Sequence, residues 1–354
     1  MKSHWKIAVI ANIKNKYEPI PEGLPPDAFS DYDSIETIDA IRAALEVDGH
    51  TTTFIHADRT LPYALQEYQP DFCFNIAEGL GGDAREAQVP ALLEILEIPY
   101  TASRVLANAI SLDKTLTKRI WRDNGLPVSQ FQEFTTGNEE LEATFEFPLF
   151  VKPSREGTGM GIDAKAIVYS QKELNERIHY LIKTYKQPAL VETFLSGREF
   201  TVGILGGSEA KVYSKNPTWY DEKGYHCFPI LELDTSHSNS PWVYDNEAKS
   251  KDVGPPESPG YFCPAQIDSV LEAELKRLAI RAHETINALD VSRTDIRLDK
   301  HGEPQLIEIN TLPGISPNYS DLCLQANAEG IAYADLVLDI LYLAAGRWGL
   351  IKEK

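Results

Sequence analysis

Cysteine is scarce. The 354 residues hold four, Cys73, Cys227, Cys263 and Cys323, with no Cys-x-x-Cys pair. A zinc cluster or a disulfide framework is therefore not expected, and a reducing compartment is the default. No apolar run reaches the ~18 residues of a membrane-spanning helix. The N-terminal run Ile7 to Ile10 is too short for the core of a signal peptide. A cytoplasmic location is expected. Positive charge is also short: 34 Lys and Arg face 53 Asp and Glu, a formal charge of −19. Such a chain repels phosphodiester backbones and anionic lipid, so neither nucleic acid nor a membrane is expected as partner. A substrate bearing phosphate would have to be met by local cations.

What remains is ordinary for a globular protein, with 43% apolar and 25% charged residues. The length suits two or three domains of roughly 100–150 residues. Lys6-Ile-Ala-Val-Ile-Ala11 reads as a buried strand. Ser34 reads as a helix cap before Thr37, Ile38, Ile41, Ala44 and Leu45, with a stop at Gly49. Thr51 to Ile55 and Phe72 to Ile76 read as further strands, and Val89 to Leu96 as a helix. This order predicts an open parallel sheet with covering helices. Beyond Pro99, residues 113–124 read as a helix with Leu112, Leu116 and Ile120 on one side. Short strands are expected at Phe150-Val151 and at Ala189 to Val191. Residues 214–264 show no sustained period, the mark of a functional or mobile segment rather than filler. Leu271 to Leu289 is an amphipathic helix, followed by a hairpin of Asp295 to Leu298 and Gln305 to Ile309. Ala332 to Ala344 closes the chain as a helix.

Three groups of residues carry chemistry. In the hairpin, Arg293 and Asp295 share one strand face by the period of two, and so do Glu308 and Asn310. Brought together, Asp295, Glu308 and Asn310 form an oxygen set suited to Mg²⁺; a solvated acidic face is the alternative. The Pro313-Gly314 turn that follows would offer backbone N–H groups to a developing oxyanion. The second group is Phe150-Val-Lys-Pro-Ser-Arg-Glu-Gly-Thr-Gly-Met-Gly161. Lys152 and the glycines could meet phosphate oxygens, although neither the Walker pattern nor the dinucleotide fingerprint is present; a flexible hairpin loop is the alternative. The third is Val191-Glu-Thr-Phe-Leu195 with Glu199, a turn with an acid, an aromatic and an aliphatic. It suits an adenine between apolar walls and a carboxylate on ribose, or is simply a strand exit.

Together with Ile98-Pro-Tyr-Thr-Ala-Ser103 and Leu112-Asp-Lys114, these blocks resemble the D-alanine–D-alanine ligase family of the ATP-grasp fold. The resemblance implies an α/β (α+β) chain: an N-terminal open parallel α/β domain, then two α+β domains that clamp ATP. The corresponding boundaries are 1–104, 105–190 and 191–354, with a mobile lid at 214–264. It implies that Lys114 and Lys152 meet the ATP phosphates, with Thr158 in the phosphate loop. Glu192, Phe194 and Leu195 would hold adenine and Glu199 the ribose. Lys249 would reach the transferred phosphate. Asp295, Glu308 and Asn310 would bind Mg²⁺, or Mn²⁺ in its place. Arg293 and the N–H of Gly314 would stabilise the acyl phosphate and the tetrahedral intermediate. The implied reaction is ATP-dependent joining of a small-molecule carboxylate to an amine, and a homodimer is expected by analogy.

The departures from the family fall on the amino-acid side. Glu78-Gly79 stands where the family has His-Gly. Tyr32-Asp-Ser-Ile35 lacks the family's Glu. Ser250 replaces a tyrosine after the loop lysine, and the lid is longer over 225–242. Tyr319 or Ser320 stands at the last Ser of the family's Thr-Ser-x-Ser run. ATP chemistry with a changed substrate pair is therefore expected, with Glu78, Arg85 and Glu86 toward a substrate ammonium and carboxylate; an acidic first helical turn accounts for Glu86 as well. A genuine D-alanine–D-alanine ligase and a non-catalytic ATP-binding homologue are the alternatives.

Overall fold

The computed structural model of the chain describes residues 4–13, 20–79, 81–234 and 260–351. Strand β1 (Lys6–Ala11), a run of apolar side chains, is buried from Ile7 onward. It pairs in parallel with β2 (Thr51–His56) on one side and with β3 (Phe72–Asn75) on the other. Helix α1 (Ile35–Glu46) starts where Ser34 accepts the amide of Thr37, and it buries the predicted stripe of Thr37, Ile38, Ile41, Ala44 and Leu45. Helix α2 (Leu61–Tyr68) was not predicted; it buries only Leu61 and Leu65, too few for a period. Helix α3 (Gln88–Ile95) follows the glycine-rich stretch after β3.

Helices α4 (Val105–Leu112) and α5 (Lys114–Asp123) lead into an antiparallel sheet. Its strands are β4 (Phe131–Phe134), β5 (Leu149–Pro153), β6 (Ile167–Val168) and β7 (Ala189–Thr193), in the spatial order β4-β7-β5-β6. Helix α6 (Gln171–Tyr185) covers it through Leu174, Ile178 and Leu181, which join Val151, Met160 and Val191 in one core.

The third sheet runs β11-β10-β8-β12-β13, with β9 also on β8. These strands are β8 (Glu199–Gly206), β9 (Tyr225–Cys227), β10 (Leu231–Asp234), β11 (Gly260–Phe262), β12 (Asp290–Leu298) and β13 (Pro304–Asn310). The stretch 214–264 is thus not wholly irregular, because β9, β10 and β11 extend the sheet from it. These strands have three or four residues each, too short to show an alternation in sequence. A short helix, α7 (Ala210–Tyr213), precedes them. Helix α8 (Ser269–Thr285) buries Leu275, Leu278 and Ala282 against the sheet, where Trp121 of α5 joins the same core. Helices α9 (Asp321–Ala328) and α10 (Tyr333–Arg347) end the fold. No helix among the described residues is long and apolar enough to cross a membrane.

The loop before α1 reaches over the glycine-rich loop that follows β5. Asp27 accepts the N–H of Gly161 at 2.8 Å and the hydroxyl of Tyr185 at 2.9 Å. Arg85 ties the other end: it pairs with Asp31 at 2.9 Å and Glu156 at 3.3 Å, and donates to the carbonyl of Arg155 at 2.8 Å.

Candidate active site

The late hairpin forms as predicted, and a third strand completes its face. In the registers of β8, β12 and β13, Arg293 lies between Gly203 and Asn310, Asp295 between Thr201 and Glu308, and Arg297 between Glu199 and Gln305. Three successive same-face positions of β12 therefore carry a guanidinium, a carboxylate and a second guanidinium, at a spacing of about 6.8 Å per two residues. Asp295 is held from both sides, by the hydroxyl of Thr201 at 2.6 Å and by Arg293 at 3.3 Å. Arg293 also faces Asp321 at 3.5 Å. Burial works against the charge of Arg293, but Asp295 and Asp321 outweigh it and favour the charged guanidinium further.

A register shift follows Asp295, where Glu308 and Leu306 oppose consecutive residues of β12. Ile307 is the extra residue, and the bulge turns it into the cavity beside Glu308. Strict alternation would have put it on the opposite face, which is why the sequence gave no sign of it.

The cavity has a volume of about 750 Å³ including its part open to solvent. One wall is this strand face. The other comes from β5 and β7, with Phe150, Lys152 and Glu192 to Leu195. Its cations are buried. Lys152 pairs with Glu192 at 2.8 Å, and Lys114 pairs with Glu308 at 3.0 Å. Lys118, which sequence reasoning missed, is 0% exposed; it pairs with Glu192 at 2.8 Å and donates to the carbonyl of Leu306 at 2.8 Å. Ser129 adds a hydrogen bond to Glu192 at 2.9 Å. Burial would raise the Glu192 carboxyl, but Lys118 and Lys152 outweigh it and hold it at about 2. Helix α5 explains the omission. Of its predicted apolar side, Leu112 is buried and Ile120 packs partly buried against the core, but Leu116 is 40% exposed, and the buried residues of the helix are Lys114, Thr115, Thr117, Lys118 and Trp121. The helix buries Lys114, which lines the cavity, and Lys118, which reaches the lining residue Glu192, and a hydrophobic stripe cannot report that.

The cavity lining thus combines apolar side chains, Phe150, Ile162, Phe194, Leu195 and Ile307, with paired lysines and carboxylates. Such a lining suits a ligand with a flat base and a polyphosphate. A family model described as the D-ala D-ala ligase C-terminus matches residues 120–342. A D-alanine–D-alanine ligase of Alcanivorax borkumensis is 35% identical over 277 residues, covering 78% of each chain. The chain belongs to the D-alanine–D-alanine ligase family. An uncharacterized protein of Sinorhizobium fredii, y4sG, is 31% identical over 357 residues, 97% of this chain and 98% of its own. The crystal structure of a Bacillus anthracis D-alanine–D-alanine ligase complexed with ATP superposes with a TM-score of 0.72 at 21% identity, covering 98% of this chain and 99% of that one. That likeness establishes the ATP-grasp fold. The chain is a carboxylate–amine ligase of this type: it uses ATP, acts on small molecules and forms carbon–nitrogen bonds.

In this ligase the expected residues Lys114, Lys152, Glu192, Phe194, Leu195, Glu199, Asp295 and Glu308 line the same cavity. Thr158 sits beside it in the glycine loop with φ 51, between Gly157 and the lining residue Gly159. Asn310 is across from Arg293, two residues beyond Glu308. Lys249 and Ser250 lie outside the described residues. Arg297, Ser129, Ile162 and Ile307 line the cavity without having been predicted.

The surroundings of Glu78 are acidic. Burial raises the carboxyl of Glu78 well above its usual range, and Glu86 and Asp31 add to the shift. Burial likewise lifts Glu86 to about 7, although Arg85 and Lys114 oppose it. Burial, then Asp31, lift Asp33 to about 7. Arg85 is engaged by Asp31 and Glu156, as described above. Tyr319 is 46% exposed, and Ser320 accepts the N–H of Ser316 at 2.9 Å, close under the Pro-Gly turn.

Among the described residues no group of three His, Cys, Asp or Glu is placed to hold a metal. Two carboxylates and an amide, Asp295, Glu308 and Asn310, are what this face offers. That open set fits Mg²⁺, which keeps waters and shares substrate phosphates rather than entering a full protein cage.

Proposed function

We propose that this ligase transfers the γ-phosphoryl group of ATP to a substrate carboxylate, and that an amine then displaces phosphate from the acyl phosphate. The observation that carries this reading is the strand face on which Arg293, Asp295 with Glu308, and Glu199 follow one another beside buried lysines. In this reading Phe194 and Leu195 wall the adenine, Glu192 closes the hinge and Glu199 takes the ribose. Lys114 and Lys152 hold the phosphates, with Thr158 in the loop above them. Asp295, Glu308 and Asn310 hold Mg²⁺ or Mn²⁺, which neutralises charge on the phosphates when bound. Lys249 reaches the transferred group. A carboxylate is a poor acylating agent because its leaving group is oxide; phosphate leaves readily. Positioning and charge compensation supply most of the acceleration in the first step. In the second, Arg293 and the N–H of Gly314 meet the oxyanion.

The substrates in this reading are amino acids or close relatives other than a pair of D-alanines, met by Glu78, Arg85, Tyr319 and Ser320. Support comes from the acidic surroundings of Glu78. The reading divides the chain at 104 and 190, and takes a homodimer as its assembly. The names of the relatives favour D-alanine as substrate, and one experiment decides between the two.

Purified protein with Mg²⁺ and ATP is assayed for phosphate release over D- and L-amino acids, singly and in pairs. Hydroxylamine is added to trap acyl phosphate as hydroxamate. Release with amino acids other than D-alanine supports the changed pair; release with D-alanine alone refutes it. Glu308→Gln and Lys152→Ala are each expected to cut turnover about 10²-fold or more, the usual loss of one preorganised electrostatic contact. Full turnover in either variant, or no release with any substrate, refutes the proposal.

A further inference from the structure

The pairing of Arg297 with Glu199 on the cavity face has no place in the chemistry above. We propose that Arg297 is a positioning residue that fixes the Glu199 carboxylate, so that the nucleotide is selected by its sugar hydroxyls. This rests on the reading of Glu199 as the ribose contact.

The two residues are direct neighbours across β12 and β8, and both line the cavity. Their side chains are 9% and 13% exposed, and Arg297 Nη1 lies 3.3 Å from Glu199 Oε2. Arg297 is itself immobilised. Its Nε donates to the carbonyl of Gly197 at 3.2 Å, and its guanidinium lies 5.6 Å from the centre of the Phe194 ring. The loop it grips has no slack. Gly197 donates to Leu298 at 3.0 Å, and Leu298 donates back to Arg198 at 2.9 Å. A Cβ on Gly197 would lie 2.6 Å from Leu298.

A glutamate without such a partner samples several rotamers, and ordering it on nucleotide binding costs side-chain entropy. A planar guanidinium fixed at two further points removes that freedom in advance. Arg297 thereby does two things at once: it orients the carboxylate, and it braces the aromatic wall of the base site. Its charge, like those of Lys114 and Lys152, is engaged by a carboxylate, and that carboxylate is the one read as the ribose contact. Asp295 lies two residues along the same strand, which sets the sugar end and the polyphosphate end apart on one rigid element. A site preset for a hydroxyl discriminates against the analogue lacking it, because the hydrogen bond from that hydroxyl to the oriented carboxylate is then not made.

The test is calorimetric binding of ADP, 2′-deoxy-ADP and 3′-deoxy-ADP with Mg²⁺, which needs no amino-acid substrate. The intact protein is expected to bind ADP about ten-fold or more tightly than at least one deoxy form, a factor that corresponds to ~1.4 kcal/mol. Arg297→Met is expected to bring that ratio within about two-fold, chiefly by weakening ADP. Glu199→Gln is expected to do the same, and the double variant to lose no more than Glu199→Gln alone. Arg297→Lys, which keeps the charge but not the fork, is expected to fall between, and it carries the test if Arg297→Met does not fold. An unchanged ratio in the Arg297 variants overturns the proposal, as does an intact protein indifferent to the hydroxyls. Absence of binding by every adenine nucleotide would instead overturn the ATP-site reading beneath it.

Discussion

Glu192→Gln removes the one negative charge that Lys118 and Lys152 share, and the loss can be sized in two ways. Both lysines lie 2.8 Å from a Glu192 oxygen, and both side chains are nearly sealed, at 0% and 4% exposure. Breaking a buried pair by deleting one partner costs about 3–5 kcal/mol, because the remaining charge stays desolvated. The proton equilibrium gives a similar figure. Holding the carboxyl at about 2 instead of 4.5 corresponds to on the order of 3 kcal/mol in favour of the ionised form, which the amide cannot adopt. A loss of ~3 kcal/mol lowers the melting temperature by roughly 6–12 °C for a unit of 150–250 residues. Differential scanning calorimetry at neutral pH reads this directly. Adding Lys118→Met to Glu192→Gln deletes one uncompensated cation and is expected to restore about half of the loss, since coupled neighbours are not additive. The sign with pH is also fixed. Glu192 has its folded pKa depressed, so its contribution is complete above 4.5 and is lost as pH falls through about 2. The gap between the two proteins must therefore narrow in acid. A single variant that melts with the intact protein, or a double variant that melts below the single one, would refute the reasoning.

Two further predictions concern the scaffold. A Cβ at Gly203 would lie 2.5 Å from Leu322 and 2.8 Å from the Gln325 amide oxygen, in the strand opposite Arg293. Gly203→Ala is expected to cost about 1–3 kcal/mol by overpacking, measured by chemical denaturation. His283 is buried neutral, with Nδ1 2.7 Å from the Ser292 hydroxyl, and burial depresses its pKa from 6.5 to about 4. Its neutral form is favoured in the fold, so stability is complete above 6.5 and falls as pH drops toward 4, by on the order of 3 kcal/mol. His283→Gln is expected to flatten the stability profile in that window; an unchanged slope would exclude His283 as its source.

The N-terminal sheet was legible because its strands and α1 obey local rules. Ser34 caps where a cap was expected, and β1 spans the run Lys6 to Ala11. The hairpin of β12 and β13 was legible by alternation and turn chemistry. Reading failed where burial follows function rather than hydrophobicity. Lys118 sits on a buried helix face that no apolar period marks, and Ile307 changes face at a bulge. Arg297 was in plain view two residues after Asp295, and alternation would have placed it on that face. What sequence did not offer was its partner Glu199, since β8 comes almost a hundred residues earlier in the chain. The short strands β9 to β11 were hidden by their length, because they exist only as additions to a sheet formed elsewhere.

The strap formed by residues 27–31 and Arg85 links the loop before α1 to both ends of the glycine loop. Any swing that lifts the N-terminal sheet away from that loop must break the Asp27 contact to Gly161 together with the Arg85 contacts to Glu156 and to the carbonyl of Arg155. Bulk salt would do little to loosen the ion pair, because the Arg85 and Glu156 side chains are only 9% and 15% exposed. A displacement of the loop before α1 is therefore carried directly to the backbone of the glycine loop.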